Sequence, residues 1–142
     1  MTNDVRILLV EDNEGDVVLT LEALKEANMD KNVGVIRDGE SALQYLKQEN
    51  SELPDLIMLD INLPRIDGIE VLAQIKSNNT LKAIPVIMLT TSNAESDIVA
   101  SYSNYANCYI TKPVGLKNFM DVIMTIKEFW IKIVKLPKTV HS

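Results

Sequence analysis

Seven residues at four places in this 142-residue chain could do chemistry together: Glu11-Asp12, Asp60, Thr90-Thr91 and Thr111-Lys112. Each place follows a short apolar run. Leu56, Ile57, Met58 and Leu59 lead straight into Asp60, and Pro64 and Gly68 punctuate the loop behind it. Taken singly, each residue has an ordinary explanation. An acidic pair after a strand is commonly a solvated turn or a helix cap, threonine starts helices well, and a lysine before proline is a surface residue. Taken together, three carboxylates, one ammonium and several hydroxyls would form one coherent pocket. Clustered carboxylates repel one another, so they favour either proton uptake or a bound divalent cation. Oxygen-only ligands with few fixed protein contacts suit Mg²⁺, which keeps several waters and often works on phosphates.

Such a pocket forms only if the apolar runs lie parallel and side by side. Strand candidates are residues 5–10, 33–36, 56–59, 86–89 and 108–110. Between and after them, helical patterns cover roughly 15–28, 41–48, 69–76 and 96–104, and a long helix follows Pro113. The fourth helix has the weakest pattern, being rich in Ser and Asn. Strands that are apolar throughout, alternating with helices, predict a doubly wound α/β domain of five strands and five helices around a parallel sheet. Such sheets bind ligands outside the carboxyl ends of their strands, near the topological switch point. All four chemical places fall at those ends.

Composition narrows the function further. With 46% apolar residues and a net charge of −6, the chain reads as a soluble single domain with a core over about 5–133 and a short tail at 134–142. The acidic balance speaks against nonspecific binding to nucleic acid or an anionic membrane. Cys108 is alone, which excludes an internal disulfide or a multi-cysteine metal site, and it reads as a small core residue. The first apolar run is too short for a signal peptide, and no stretch approaches the ~18 residues of a membrane span. A cytoplasmic location is expected. In the last helix Phe119, Val122, Ile123, Ile126, Trp130 and Ile133 form a core-facing stripe. Met120, Met124 and Ile131 fall outside that stripe, on a second apolar face. This second face is a candidate interface, in its simplest form a two-fold homodimer through helices four and five.

The set Glu11-Asp12, Asp60, Thr90 and Lys112-Pro113 resembles the receiver domain of two-component response regulators, from about Val5 to Ile133. The segment LDINLPRIDG matches that family's phosphoacceptor motif. Thr90 lies 30 residues past Asp60 and Tyr109 three before Lys112, where the family places them. The resemblance implies a flavodoxin-like strand order 2-1-3-4-5 and a phosphoryl group accepted on Asp60 from a sensor histidine kinase, with Mg²⁺ as cofactor. It implies that Asp12 binds the metal directly, Glu11 through water and Asn62 through its backbone carbonyl, with Asp60 also among the metal residues. Lys112 would pair with Asp60 and then with the phosphoryl group. Thr91 would contribute a backbone donor and partly control access of water to the phosphate. Thr90 and Tyr109 would form the switch that reshapes the face of helix four, strand five and helix five. The Lys112-Pro113 peptide would be cis.

A chain of this kind is a phosphoacceptor switch, not an enzyme beyond its own phosphotransfer and autodephosphorylation. With no output domain expected, its signal would pass to a downstream protein or phosphotransfer partner. The stretches EGDVVLTLEALKEA, RDGESALQYL and NCYITKPV look like the regulators paired with phytochrome-type kinases. Two departures stand out. Tyr105-Ala106-Asn107 occupies the place of a common Gly-Ala step, and the helix-four region SNAESDIVASYSNYAN shares little with the usual pattern. Two other classes compete. One is a receiver fold that binds partners without phosphate, against which the intact Asp12, Asp60, Thr90 and Lys112 argue. The other is a phosphatase of the haloacid dehalogenase class, which needs a second acid where this chain has Asn62.

Overall fold

The apolar runs become strands because a covered parallel sheet buries them on both faces. The structure is a computed structural model that describes residues 5–49, 52–90, 94–111 and 116–128. In chain order its elements are β1 (Arg6–Val10), α1 (Glu14–Glu26), β2 (Asn32–Ile36), α2 (Gly39–Lys47) and β3 (Leu56–Leu59). They continue with α3 (Gly68–Ser77), β4 (Val86–Thr90), α4 (Glu95–Ser103), β5 (Cys108–Thr111) and α5 (Leu116–Glu128). All four strand pairings are parallel, in the order β2-β1-β3-β4-β5. This is the doubly wound fold expected from the sequence. Thr91, Lys112, Pro113 with its expected cis bond, Trp130, Ile131 and Ile133 lie outside the described residues.

Alternate side chains along each strand feed two separate apolar layers. Leu8, Val10, Ile57, Leu59, Val86 and Met88 pack under α2 and α3, against Leu43, Leu46, Val71, Leu72 and Ile75. Ile7, Leu9, Leu56, Met58, Ile87 and Leu89 pack under α1 and α5, against Ala23, Leu24, Ile123 and Ile126. Each fully buried aliphatic side chain contributes about 1.5–3 kcal/mol. Every side chain of β3 and β4 is buried, so the ends of these two strands are firmly fixed in space. Lys127 on α5 adds a polar tie across the second layer, its Nζ donating to the Ala27 carbonyl at 2.6 Å.

Helix starts follow the same local chemistry three times. Asn13, Asp38 and Asp67 each accept a backbone N–H three residues on, from Asp16, Ser41 and Glu70 at 2.9, 2.7 and 2.9 Å. The Ser41 N–H also holds the Asp38 carboxyl below its ordinary range. α1 stops two residues short of the expected boundary. Asn28 there takes a left-handed φ of 58°, and the Met29 N–H reaches back to the Leu24 carbonyl at 2.8 Å.

The place of the missing Gly-Ala step shows why glycine suits it. Tyr105 has φ 67°, a conformation that costs a residue with a Cβ, and its ring is 75% exposed and contributes little packing. Tyr105→Gly is therefore expected to raise stability by about 1 kcal/mol, read as a higher urea midpoint at constant slope. An unchanged or lower midpoint would contradict the strain. Beside it, Asn107 aligns the two last strands. Its N–H donates to the Val86 carbonyl while its Oδ1 accepts the Val86 N–H, both at 2.9 Å.

One expectation for α5 is corrected. Met120 packs partly buried against the α1/α5 layer and does not lie on a separate outer face, because it precedes Ile123 by one helical step. Met124 is exposed.

Candidate functional site

The register of the sheet brings the strand ends together. Beyond β1, the Glu11 N–H still bonds to the Ile36 carbonyl at 3.0 Å, which holds Glu11 as if in the strand and turns its side chain inward. Beyond β3, the Asp60 N–H bonds to the Val10 carbonyl at 3.1 Å in the same way. Glu11 is 1% and Asp60 6% exposed, while Asp12 faces solvent. A carboxylate oxygen from each of the three lies within 4.8 Å of the others. At the outer limit of that distance two like charges repel by about 3.5 kcal/mol at an effective dielectric constant of ~20. Two of the three are buried, and a bound divalent cation would offset their mutual repulsion. The all-oxygen donor set fits a hard cation.

The Asp60 carboxylate is also steered locally. Its Oδ1 accepts the N–H of Ile61 at 2.7 Å, and Glu11 Oε2 accepts the N–H of Asn13 at 3.3 Å. Behind Asp60 the chain makes a tight detour. Leu63 N–H bonds to Ile61 O and Ile66 N–H to Pro64 O, both at 2.9 Å, and Arg65 sits at φ 71°. Gly68 then returns to the strand end, its N–H on the Ile61 carbonyl at 2.8 Å. A Cβ on Gly68 would lie 2.0 Å from the Asp60 carbonyl oxygen and 2.7 Å from Ile61 Cα. Only glycine lets α3 begin this close to Asp60. Asn62 lies between, exposed.

Thr90 ends β4 fully buried, opposite Thr111 of β5, which is exposed. Tyr109 is half-buried against the α2/α3 layer. Its N–H donates to the phenol oxygen of Tyr102 on α4 at 3.2 Å. Thr91 and Lys112 are outside the described residues, so the structure gathers Glu11, Asp12 and Asp60 at one point and puts Thr90 at the same edge of the sheet.

Three contributors escaped the sequence reading. Gly39 seats α2 against the detour, since a Cβ there would lie 2.6 Å from the Ile66 carbonyl. Exposed ion pairs at the start of α1 and α2, Arg37–Glu14 and Arg65–Glu40, are the second and third. A glycine next to an N-cap aspartate was the available signal for the first; pairs 23 and 25 residues apart left none.

A parallel sheet in this order, ending in three converging carboxylates, defines a receiver. Residues 7–124 match the response regulator receiver domain, and the chain belongs to that family, the receivers of two-component systems. It is 48% identical over 135 residues to response regulator Rcp1 of Synechocystis sp., covering 92% of each chain. Its fold matches the phosphorylated cyanobacterial phytochrome response regulator RcpA with a TM-score of 0.88 at 48% identity, covering 94% of this chain and 99% of that one. It matches the Mn²⁺-bound form of Rcp1 with a TM-score of 0.85 at 47% identity, covering 94% and 99%. Among the described residues no helix is long and apolar enough to cross a membrane.

Proposed function

We propose that this chain is a phosphorylation switch whose acceptor is Asp60, loaded by a histidine kinase of the phytochrome type. The observation that carries the reading is the convergence of Glu11, Asp12 and Asp60 at the carboxyl edge of a receiver sheet. The rigid β3 presents the Asp60 carboxylate, and the Ile61 N–H sets its rotation. One carboxylate oxygen forms a bond to phosphorus as the donor's P–N bond breaks, and the bonding pair returns to the departing imidazole nitrogen, which is protonated by water. Glu11, Asp12 and Asp60, with the Asn62 carbonyl, would hold Mg²⁺, which supplies positive charge beside the transferring phosphoryl group. Lys112 supplies a second cation, and Thr91 a backbone donor that limits access of water.

Thr90 then turns its hydroxyl toward the phosphoryl oxygens, and the Tyr109 ring enters the space it leaves. The result is a population shift at the α4/β5/α5 face, biased by contacts present in only one state. That face would meet a second copy of the chain or a downstream protein, in the cytoplasm. Nothing in this scheme turns over an external substrate.

The test is intact mass after incubation with an acyl phosphate and Mg²⁺. One added phosphoryl group is expected, and chelating the metal with EDTA should abolish it. No adduct, under conditions that label another receiver, would replace this reading with phosphate-independent partner binding.

A further inference from the structure

α4 is loosely seated. Ser101 is its one fully buried side chain, and the Ser101 hydroxyl finds no hydrogen-bond partner among the described residues. The helix starts after Ala94, whose methyl group cannot cap it, whereas α1, α2 and α3 each start on a capping side chain. Val99 and Tyr102 leave 57% and 50% of their surface in solvent. A buried unpaired hydroxyl in a helix with little apolar anchorage favours departure from the observed seat.

A side-chain hydrogen bond to β5 opposes that departure. β5 is an edge strand, and the Tyr109 N–H bonds away from the sheet, to the phenol oxygen of Tyr102. At 3.2 Å the bond is at the long end of the N–H···O range, so a shift of a few tenths of an ångström breaks it. Tyr109 therefore connects the core, through its ring, to α4, through its amide.

We infer that the Tyr102 phenol is a latch that couples α4 to β5, closed in the resting protein and released when Asp60 is phosphorylated. The inference rests on the switch proposed above. A turn of the Tyr109 ring that drags its backbone opens the bond, and α4 is then free to re-seat. Release changes the surface made by Val99, Tyr102 and Tyr105, the three most exposed large apolar side chains among the described residues apart from Val18. Tyr102 is thus a positioning residue with no contact to the phosphoryl group.

Tyr102→Phe removes only the acceptor and tests the latch in the full chain, by amide hydrogen exchange at Tyr109 with and without acyl phosphate. Wild type should exchange slowly at rest and on the order of tenfold faster when phosphorylated. Tyr102→Phe should exchange at the fast rate in both states while gaining the same phosphoryl mass. Ser101→Ala, which deletes the unpaired hydroxyl, should slow exchange along α4 at rest and shrink its response to phosphate. If both Tyr102 proteins take up phosphate but Tyr109 exchange depends on neither phosphate nor the phenol, the latch is wrong and the Asp60 reading stands. If wild type takes up no phosphate, the Asp60 reading falls and the phosphate-driven release falls with it.

Discussion

Asp60→Asn is expected to abolish phosphate uptake completely while leaving the fold in place. The amide keeps the shape of the side chain and can still accept the Ile61 N–H, which bonds to Oδ1 at 2.7 Å. It cannot form the acyl phosphate, because the amide nitrogen has no nucleophilic lone pair comparable to a carboxylate oxygen. Losing one of three charges within 4.8 Å also relieves repulsion, which offsets any interaction the carboxylate itself supplies. The melting temperature should stay within about 3 °C of wild type, the equivalent of roughly 1 kcal/mol in a domain of this size. Stabilisation by added Mg²⁺ should need at least about tenfold more metal, since the charge count of the donor set has dropped. A labelled Asp60→Asn protein would move the acceptor elsewhere.

Gly68→Ala should damage both stability and chemistry. The new methyl would start 2.0 Å from the Asp60 carbonyl oxygen, so α3 or the strand end must move by at least about 1 Å to reach a tolerable contact. Neither yields easily. The Gly68 N–H is bonded to Ile61, α3 is capped by Asp67, and Val71, Leu72 and Ile75 are wholly buried. A loss of about 3 kcal/mol is expected, roughly 10 °C in melting temperature. Displacement of the acceptor by that distance should slow phosphate uptake on the order of 10²-fold even in the folded fraction. Gly34→Ala is the matched control, because its methyl would meet only Leu8 Cδ1 at 4.0 Å. If Gly68→Ala melts and labels like that control, the close approach is not what fixes the strand end.

The features that could be read from residues alone are those in which local chemistry and tertiary environment agree. Leu56–Leu59 and Val86–Leu89 are apolar without interruption because both faces of the sheet are covered, and Asp60 stands out against that background. α4 was the hardest helix to see for a physical reason: its one fully buried side chain is Ser101, so it had almost no apolar period to display. Met120 joins the buried face because residues three apart on a helix are neighbours, which sets it beside Ile123. Arg65 at φ 71° carries no glycine to mark its turn. The Tyr102–Tyr109 bond depends on where the edge of β5 lies, which no spacing between the two residues encodes.

The two apolar layers also differ in when they can exist during synthesis. The layer under α2 and α3 draws its buried members from Leu8 to Ala106, whereas the layer under α1 and α5 needs Ile123 and Ile126. Lys127 closes the second layer by reaching Ala27, 100 positions earlier in the chain. A nascent chain therefore completes one side of its sheet while α1 still lacks its neighbour, with Ala23 and Leu24 short of full cover. Contacts of such long sequence separation form late and slowly. On the ribosome, the half of the molecule that carries α1 stays open to chaperones until Ile123 and Ile126 have emerged.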